Sequence, residues 1–312
     1  MKTDILFTGK GHAGTQAILE SEFAVHKLHE AGDRDAFLKS ASQKVRGIAS
    51  FGAAPVNGAL MDALPRLEII SNFGVGVDQI DLDAAKKRGI VVTNTPDVLN
   101  ECVADTAIAL VLNTLRQLPQ CEAYLRAGRW AEKGPYALTT SLGGKTMGIL
   151  GLGRIGEAVA KRAMACGMQI RYHNRNRKDV PYAYDPDPVT LAKNSDVLMV
   201  VTPGGPETKN LVNAQVLDAL GPKGFLVNIA RGSVVDEPLL LKYLQERKIA
   251  GAGLDVFADE PRVPPEFFKL ENAVLFPHVA SATQETRKAM GDLQIENLRR
   301  HFAGKPVLTR VV

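Results

Sequence analysis

Three short segments in the second half of the chain carry the side chains that reduction of a carbonyl would need. They are Asn228-Ile-Ala-Arg-Gly-Ser-Val-Val-Asp-Glu237, Gly253-Leu-Asp-Val-Phe-Ala-Asp-Glu-Pro261 and Phe276-Pro-His-Val-Ala-Ser281. Each follows an apolar run of strand length, and open α/β sheets gather ligands at the carboxyl ends of their strands. His278 is the natural proton donor, because histidine ordinarily changes charge near neutral pH. A carboxylate beside it, taken to be Glu260, would hold the ring and favour its protonated form. Arg231 can clamp a carboxylate with two parallel hydrogen bonds and polarise the adjacent keto oxygen. Singly, each residue type is ordinary at such a place, and His12, His26, His29, His173 and His301 are read as structural or surface histidines. The specific signal is the combination.

The elements that must position these residues are organised around Thr146-Met-Gly-Ile-Leu-Gly-Leu-Gly-Arg-Ile-Gly156. An apolar run breaks into glycines and continues as an amphipathic segment with Ile155, Val159, Ala163 and Cys166 at helical spacing, which reads as strand, tight turn and helix. Gly151, Gly153 and Gly156 have G-x-G-x-x-G spacing in the context that a dinucleotide-binding turn requires. A nicotinamide nucleotide with its pyrophosphate at the helix N-terminus follows from that context. At the end of the next strand a NAD site needs an acid to accept from the ribose hydroxyls. This chain has His173-Asn-Arg-Asn-Arg177 there. Asn174 stands in the acid's place, and Arg175 and Arg177 would attract a 2′-phosphate. NADPH is therefore expected over NADH.

Upstream, apolar runs at 4–8, 23–28, 45–50, 67–73 and 90–93 alternate with helical segments, predicting a parallel sheet covered on both faces. Ser71-Asn-Phe-Gly-Val-Gly-Val-Asp78 ends one of these strands. It is either a plain turn or a nest of N–H groups, from Val75 and Gly76, aimed at an anion. Residues 100–118 read as one helix stopped by Pro119, with Thr106 on its surface. Residues 119–145, with Trp130, Tyr124 and Tyr136, lack strand–helix alternation and suit a subunit contact or a surface loop. A second sheet takes runs at 169–173, 197–201, 225–229, 252–256 and 274–276. Ser281-Ala-Thr-Gln284 resembles a capping box for a last helix that returns to the first domain. The expected domains are 1–97 with 286–312, and 98–285.

The 312 residues suffice for two cores, with 45% hydrophobic and 23% charged residues, as in ordinary globular proteins. A net charge of +4 with no dense basic run argues against a nucleic-acid partner. No run is long enough for a membrane span or a signal peptide, so a cytoplasmic enzyme is expected. Cys102, Cys121 and Cys166 lack metal-site or disulfide spacing and are expected in the core. No metal site is expected.

Together, Gly151-Leu-Gly-Arg-Ile-Gly156, Asn228-Ile-Ala-Arg-Gly232, Gly253-Leu-Asp-Val-Phe257 with Asp259-Glu-Pro261, and Pro277-His-Val-Ala-Ser281 resemble the D-isomer-specific 2-hydroxyacid dehydrogenase family. Asn72-Phe-Gly-Val-Gly-Val-Asp-Gln-Ile80, Gly221-Pro-Lys-Gly224 and Gly304-Lys-Pro-Val-Leu-Thr309 are most similar to its glyoxylate/hydroxypyruvate reductase branch. The resemblance implies two doubly wound α/β domains, a flavodoxin-like substrate domain and a Rossmann cofactor domain, with a cleft between them, and usually a homodimer. It makes Arg231 the substrate-orienting arginine, Glu260 the partner of the histidine and His278 the acid/base. Val75 and Gly76 would bind the substrate carboxylate through their N–H groups. Leu152, Gly153, Arg154 and Ile155 would hold the pyrophosphate with Thr106 near it, and Thr202 and Pro203 would flank the adenosine. Ile229 and Asp255 would contact the nicotinamide, and Ala230 and Ser281 complete the cofactor set. The substrate implied is a small 2-oxo acid, glyoxylate or hydroxypyruvate, reduced to the D-hydroxy acid. The competing readings are a reductase of bulkier 2-oxo acids such as hydroxyphenylpyruvate or 2-ketogluconate, with Phe51, Phe73 and Met290 as pocket candidates, and a non-catalytic nucleotide-sensing protein.

Overall fold

The computed structural model describes residues 2–52 and 54–312. It forms two compact units, Met1–Leu99 with Thr283–Val312, and Asn100–Ala282. The first holds a parallel sheet of five strands, β1 (Asp4–Phe7), β2 (Ala24–Lys27), β3 (Gly47–Ser50), β4 (Ile69–Asn72) and β5 (Val91–Thr93), in the order β2-β1-β3-β4-β5. That is the flavodoxin-like order. Ile5, Phe7, Ala49 and Ile69 bury one face of the sheet, and Leu6, Ile48, Ile70 and Val92 the other. Alternation along strands covered on both sides makes each run apolar throughout, which is why the strands were visible as continuous hydrophobic runs.

The second unit has seven parallel strands, β6 (Thr146–Leu150), β7 (Gln169–His173), β8 (Ala183–Tyr184), β9 (Val197–Val200), β10 (Phe225–Asn228), β11 (Gly251–Leu254) and β12 (Ala273–Leu275). Their order is β12-β11-β10-β9-β6-β7-β8. The chain winds one way from β6 to β8 and the other from β9 to β12. The switch point therefore lies between β6 and β9, where doubly wound sheets bind their ligands. β8 escapes sequence reading because two residues show no periodicity.

Other elements depart from expectation for local reasons. The helix from Asn100 ends at Arg116, and Gln117 turns left-handed at φ 49°. Pro119 does not stop that helix; it lies in the first turn of the next, Leu118–Arg126, where its missing N–H has no partner to lose. The turn at residues 93–97 precedes the crossing between units, because Leu99 is still buried in the first unit. Thr283, rather than Ser281, caps the last helix, Gln284–Phe302, accepting from the Thr286 N–H at 3.2 Å. The three cysteines are free and half-buried, not core residues. Phe51 and Met290 are buried, at 1% and 2% exposure, so they do not line an open pocket.

The last helix is bound to the first sheet by a buried polar residue. Gln294 is fully buried, and its Nε2 donates to the carbonyls of Ser71 at 2.9 Å and Ser50 at 3.2 Å. The Ser71 hydroxyl returns a bond to the Gln294 carbonyl at 3.1 Å. Replacing Gln294 by Met keeps the volume and strands two carbonyls. A loss of about 1–3 kcal/mol is expected, read as a lower calorimetric transition for the first unit, and an unchanged transition would remove this role.

Candidate active site

Arg231, Glu260 and His278 follow β10, β11 and β12, so one edge of the second sheet presents all three. Asn228, the last residue of β10, shapes the turn that carries Arg231. Its carboxamide accepts from the Ala230 N–H and donates to the Arg231 carbonyl, both at 3.0 Å. A Cβ on Gly232 would stand 1.9 Å from the Phe257 carbonyl carbon. Only glycine lets the Arg231 turn lie directly on the backbone that leads to Glu260. Glu237 fixes the same backbone from below, accepting from the Ala258 N–H at 2.9 Å.

Glu260 uses its two oxygens on two partners. Oε1 accepts from the Phe257 N–H at 3.0 Å, and Oε2 lies 2.6 Å from His278 Nδ1. Burial pushes its carboxyl up, but the His278 and Phe257 hydrogen bonds and the His278 and Arg231 charges outweigh this and hold it below the ordinary glutamate range. Glu260 is thus ionised at neutral pH and accepts only, so His278 Nδ1 carries the hydrogen. Nε2 is left as the ring's atom for proton transfer.

His278 has φ 53°, a left-handed conformation that a residue with a side chain adopts at a cost. Asp255 holds it there. The His278 N–H donates to the Asp255 carbonyl at 2.8 Å, and the Asp255 carboxylate accepts from Val279 N–H at 2.8 Å and Ala280 N–H at 3.0 Å. Burial raises the Asp255 carboxyl, partly offset by those two N–H groups and the His278 charge, and reinforced by Glu260. The sequence reading placed Asp255 against the nicotinamide; here its side chain is enclosed and engaged with the His278 turn. Thr106, expected near the pyrophosphate, likewise serves this turn. Its hydroxyl lies 3.3 Å from the carbonyls of both Ala280 and Cys102, and Cys102 Sγ also donates to Ala280 at 3.3 Å. Ile229 and Ala230 are buried under the Arg231 turn, and Ser281 is half-buried at the end of the His278 turn.

At the switch point the glycines have distinct tasks. Gly151 has φ 102°, and a Cβ there would meet the Thr202 nitrogen at 2.7 Å. A Cβ on Gly156 would meet the Gly151 carbonyl oxygen at 2.7 Å, so this glycine seats the helix Arg154–Ala165 on the strand. Gly153 faces open space, with nothing within 4 Å of a Cβ. No protein atom demands that glycine, and the space suits a nucleotide pyrophosphate, so the loop fits a dinucleotide. Two of the four expected N–H donors are already used. Leu152 N–H donates to Asn174 Oδ1 at 2.6 Å and Gly153 N–H to the Gly151 carbonyl at 2.9 Å. Arg154 and Ile155, at the helix start, are the positions left to meet a pyrophosphate. Asn174 also donates to the Leu152 carbonyl at 3.2 Å, so it closes the glycine loop rather than standing free for a ribose. Arg175 and Arg177 are exposed, Arg177 lying 5.8 Å over the Tyr184 ring. Thr202 is half-buried and Pro203 exposed beyond β9.

In the first unit, the loop after β4 has its carbonyls turned inward. Asn72 Nδ2 donates to the carbonyls of Gly74 at 3.2 Å and Gly76 at 2.9 Å, and Asn94 Nδ2 to that of Val75 at 2.9 Å. A trans peptide sets N–H opposite C=O, so these contacts aim the Val75 and Gly76 N–H groups away from the scaffold. That is the geometry of an anion nest. Asn72, Asn94, Asn228 and Glu237 were not singled out as site residues from the sequence; the asparagines beside turn glycines were the signal available. Among the described residues, no group of three or more His, Cys, Asp or Glu is placed to hold a metal ion, and no helix is long and apolar enough to cross a membrane.

Comparison with known proteins agrees with this arrangement. Residues 108–280 match the model of the D-isomer specific 2-hydroxyacid dehydrogenase NAD-binding domain. A glyoxylate/hydroxypyruvate reductase of Arabidopsis thaliana is 50% identical over 295 residues, 94% of either chain. A hydroxyphenylpyruvate reductase of Plectranthus scutellarioides is 48% identical, again over 94% of each. The crystal structure of the NADPH-dependent glyoxylate/hydroxypyruvate reductase of Sinorhizobium meliloti, in complex with NADP and malonate, is 49% identical and superposes with a TM-score of 0.94, over 100% of this chain and 97% of that one. A nicotinamide-nucleotide-binding domain and an oxidoreductase sequence are thus joined in one molecule: the chain belongs to the D-isomer specific 2-hydroxyacid dehydrogenases.

Proposed function

We propose that the chain is an NADPH-dependent reductase of small 2-oxo acids, glyoxylate and hydroxypyruvate first, giving D-2-hydroxy acids. The observation that carries this is the Glu260–His278 pair, 2.6 Å apart, with Arg231 on the neighbouring turn and a dinucleotide loop on the same sheet. A bound reduced nicotinamide supplies the hydride. Arg231 takes the substrate carboxylate side and stabilises negative charge growing on the keto oxygen. His278 Nε2 gives that oxygen its proton, and Glu260 holds the ring through Nδ1 and stabilises the imidazolium. In the first unit, Val75 and Gly76 offer N–H groups to a carboxylate. Arg154 and Ile155 hold the pyrophosphate, with Thr202 and Pro203 on the adenosine side. Arg175 and Arg177, with no acid at Asn174, favour the 2′-phosphate of NADPH. A nucleotide sensor would have no use for the Arg231, Glu260 and His278 assembly. A homodimer fits the exposed Leu118, Leu125, Trp130 and Leu138, all on the segment from 118 to 138.

One feature favours bulkier substrates as a second reading. A cavity of about 320 Å3 lies against Glu260 and His278, walled by Phe257, Val263, Phe268, Leu275 and Phe276. It is large enough for an apolar substituent. Initial rates of NADPH oxidation with glyoxylate, hydroxypyruvate, hydroxyphenylpyruvate and 2-ketogluconate decide between them. A higher kcat/KM for hydroxyphenylpyruvate than for hydroxypyruvate would replace the first reading.

His278→Gln should lower kcat for hydroxypyruvate by about two to four decades, with NADPH still bound; turnover at the parental rate would refute the proton donor. Arg175→Ala should weaken NADPH by about tenfold or more, the worth of a charge-assisted hydrogen bond, with little change for NADH. The Glu260 pair also has a pH signature. Because its carboxyl is held below the ordinary value of 4.5, its contribution to stability is complete above that value and is lost as pH falls through the lower, folded one. The melting temperature of Glu260→Gln should therefore lie below that of the parent at neutral pH, and the gap should close in acid. A gap that widens in acid would contradict the assignment.

A further inference from the structure

Arg175 already has an anionic partner. Its Nη1 donates to Glu207 Oε2, with the two side chains 84% and 75% exposed. Glu207 lies on the short turn Pro206–Thr208, in the loop that leaves β9 through Thr202 and Pro203. The loop is braced from within. Thr208 Oγ1 donates to the Pro203 carbonyl at 2.7 Å, the Thr208 N–H to that of Gly205 at 3.2 Å, and the Asn210 N–H to that of Ser233 at 2.9 Å. The other cations after β7 are also engaged: Arg177 lies over the Tyr184 ring, and Lys178 Nζ is 2.6 Å from Glu157. The position that would meet a 2′-phosphate is thus occupied by a carboxylate from the facing loop.

We propose that Glu207 is a specificity-determining counter-ion, which a 2′-phosphate must displace from Arg175. The proposal rests on the reading of Arg175 as the 2′-phosphate partner. A phosphate offers more acceptor oxygens and more charge than one carboxylate, and so wins the exchange. A 2′-hydroxyl carries no charge with which to do so, and NADH leaves the Arg175–Glu207 pair intact. Binding of NADPH is weakened by the fraction of molecules in which Arg175 is occupied, while binding of NADH is not. Glu207 therefore narrows the gap between the two cofactors.

The test is fluorescence titration of NADPH and NADH into the parent, Glu207→Gln, Arg175→Ala and the double variant, at low ionic strength. Exposed ion pairs are weak, so Glu207→Gln should tighten NADPH about two- to fivefold and leave NADH unchanged. The gain should vanish in the Arg175→Ala background and shrink with added salt. Equal changes for both cofactors, no change for either, or a gain that persists without Arg175 would overturn the role of Glu207. Arg175→Ala alone separates the two levels. If it leaves the NADPH-to-NADH affinity ratio unaltered, the Arg175 reading itself falls; if the ratio drops while Glu207→Gln is neutral, only the counter-ion falls.

Discussion

The buried Asp255 carboxylate is the constraint on which the catalytic edge depends. Placing an ionisable group where water cannot reach it is costly unless its charge is fully bonded. Asp255 meets that condition with the N–H groups of Val279 and Ala280, one on each oxygen, while its own carbonyl takes the His278 N–H. The end of β11 is thereby joined to the turn after β12, and His278 is kept in a left-handed conformation it would otherwise leave. The opposite side of the turn is fixed by the Ala280 carbonyl, which lies 3.3 Å from both Cys102 Sγ and the Thr106 hydroxyl. His278 is exposed, yet the backbone that aims it is among the most tightly bonded in the unit. An acid/base residue needs that combination: an accessible ring on a fixed base.

The other two residues are placed by the same means, through backbone rather than through side-chain packing. Gly232 allows the turns after β10 and β11 to touch, and Glu237 and Glu260 each take one N–H of the 257–258 backbone. Glu237 is held there with its carboxyl raised, by burial first and then by the charges of Asp259 and Glu260, against the pull of the Ala258 N–H. Carboxylates gather at this corner because the N–H groups of successive loops need acceptors. Glu260 alone gains a cationic partner in His278, and it alone of the buried acids at this edge is lowered.

How much of this was legible in the residues depends on the range of the interaction. Strands buried on both faces are continuous apolar runs, so ten of the twelve runs stood out, β6 among them through its glycines, and each of the three catalytic candidates followed such a run. Local turn chemistry was less secure. Pro119 and Ser281 were read as a stop and a cap, whereas the first opens a helix and the second yields to Thr283 two residues on. Contacts between turns distant in sequence were not legible at all. Nothing near Asn174 reveals that its amide belongs to Leu152, nor does anything near Arg175 point to Glu207, which lies 32 residues away. Residue types marked where chemistry is possible, but competition for each donor is decided only in three dimensions.

That competition changes what the nucleotide loop can be asked to do. In the bare motif every N–H from Leu152 to Ile155 is a candidate for the pyrophosphate. In the folded loop Asn174 takes the first and Gly151 the second, leaving the helix start at Arg154 and Ile155. The asparagine that replaces the usual ribose-binding acid thus has a structural task in the cofactor-free chain: it accepts from Leu152 N–H and donates to Leu152 C=O, a two-way bond that no carboxylate can make because a carboxylate has no hydrogen to donate. An aspartate at 174 would keep the first bond and set its second oxygen against the Leu152 carbonyl. The loss of the acid and the closure of the loop are therefore one substitution seen from two sides. Cofactor choice in this chain is built into the geometry of the glycine turn as well as into the charges beyond it.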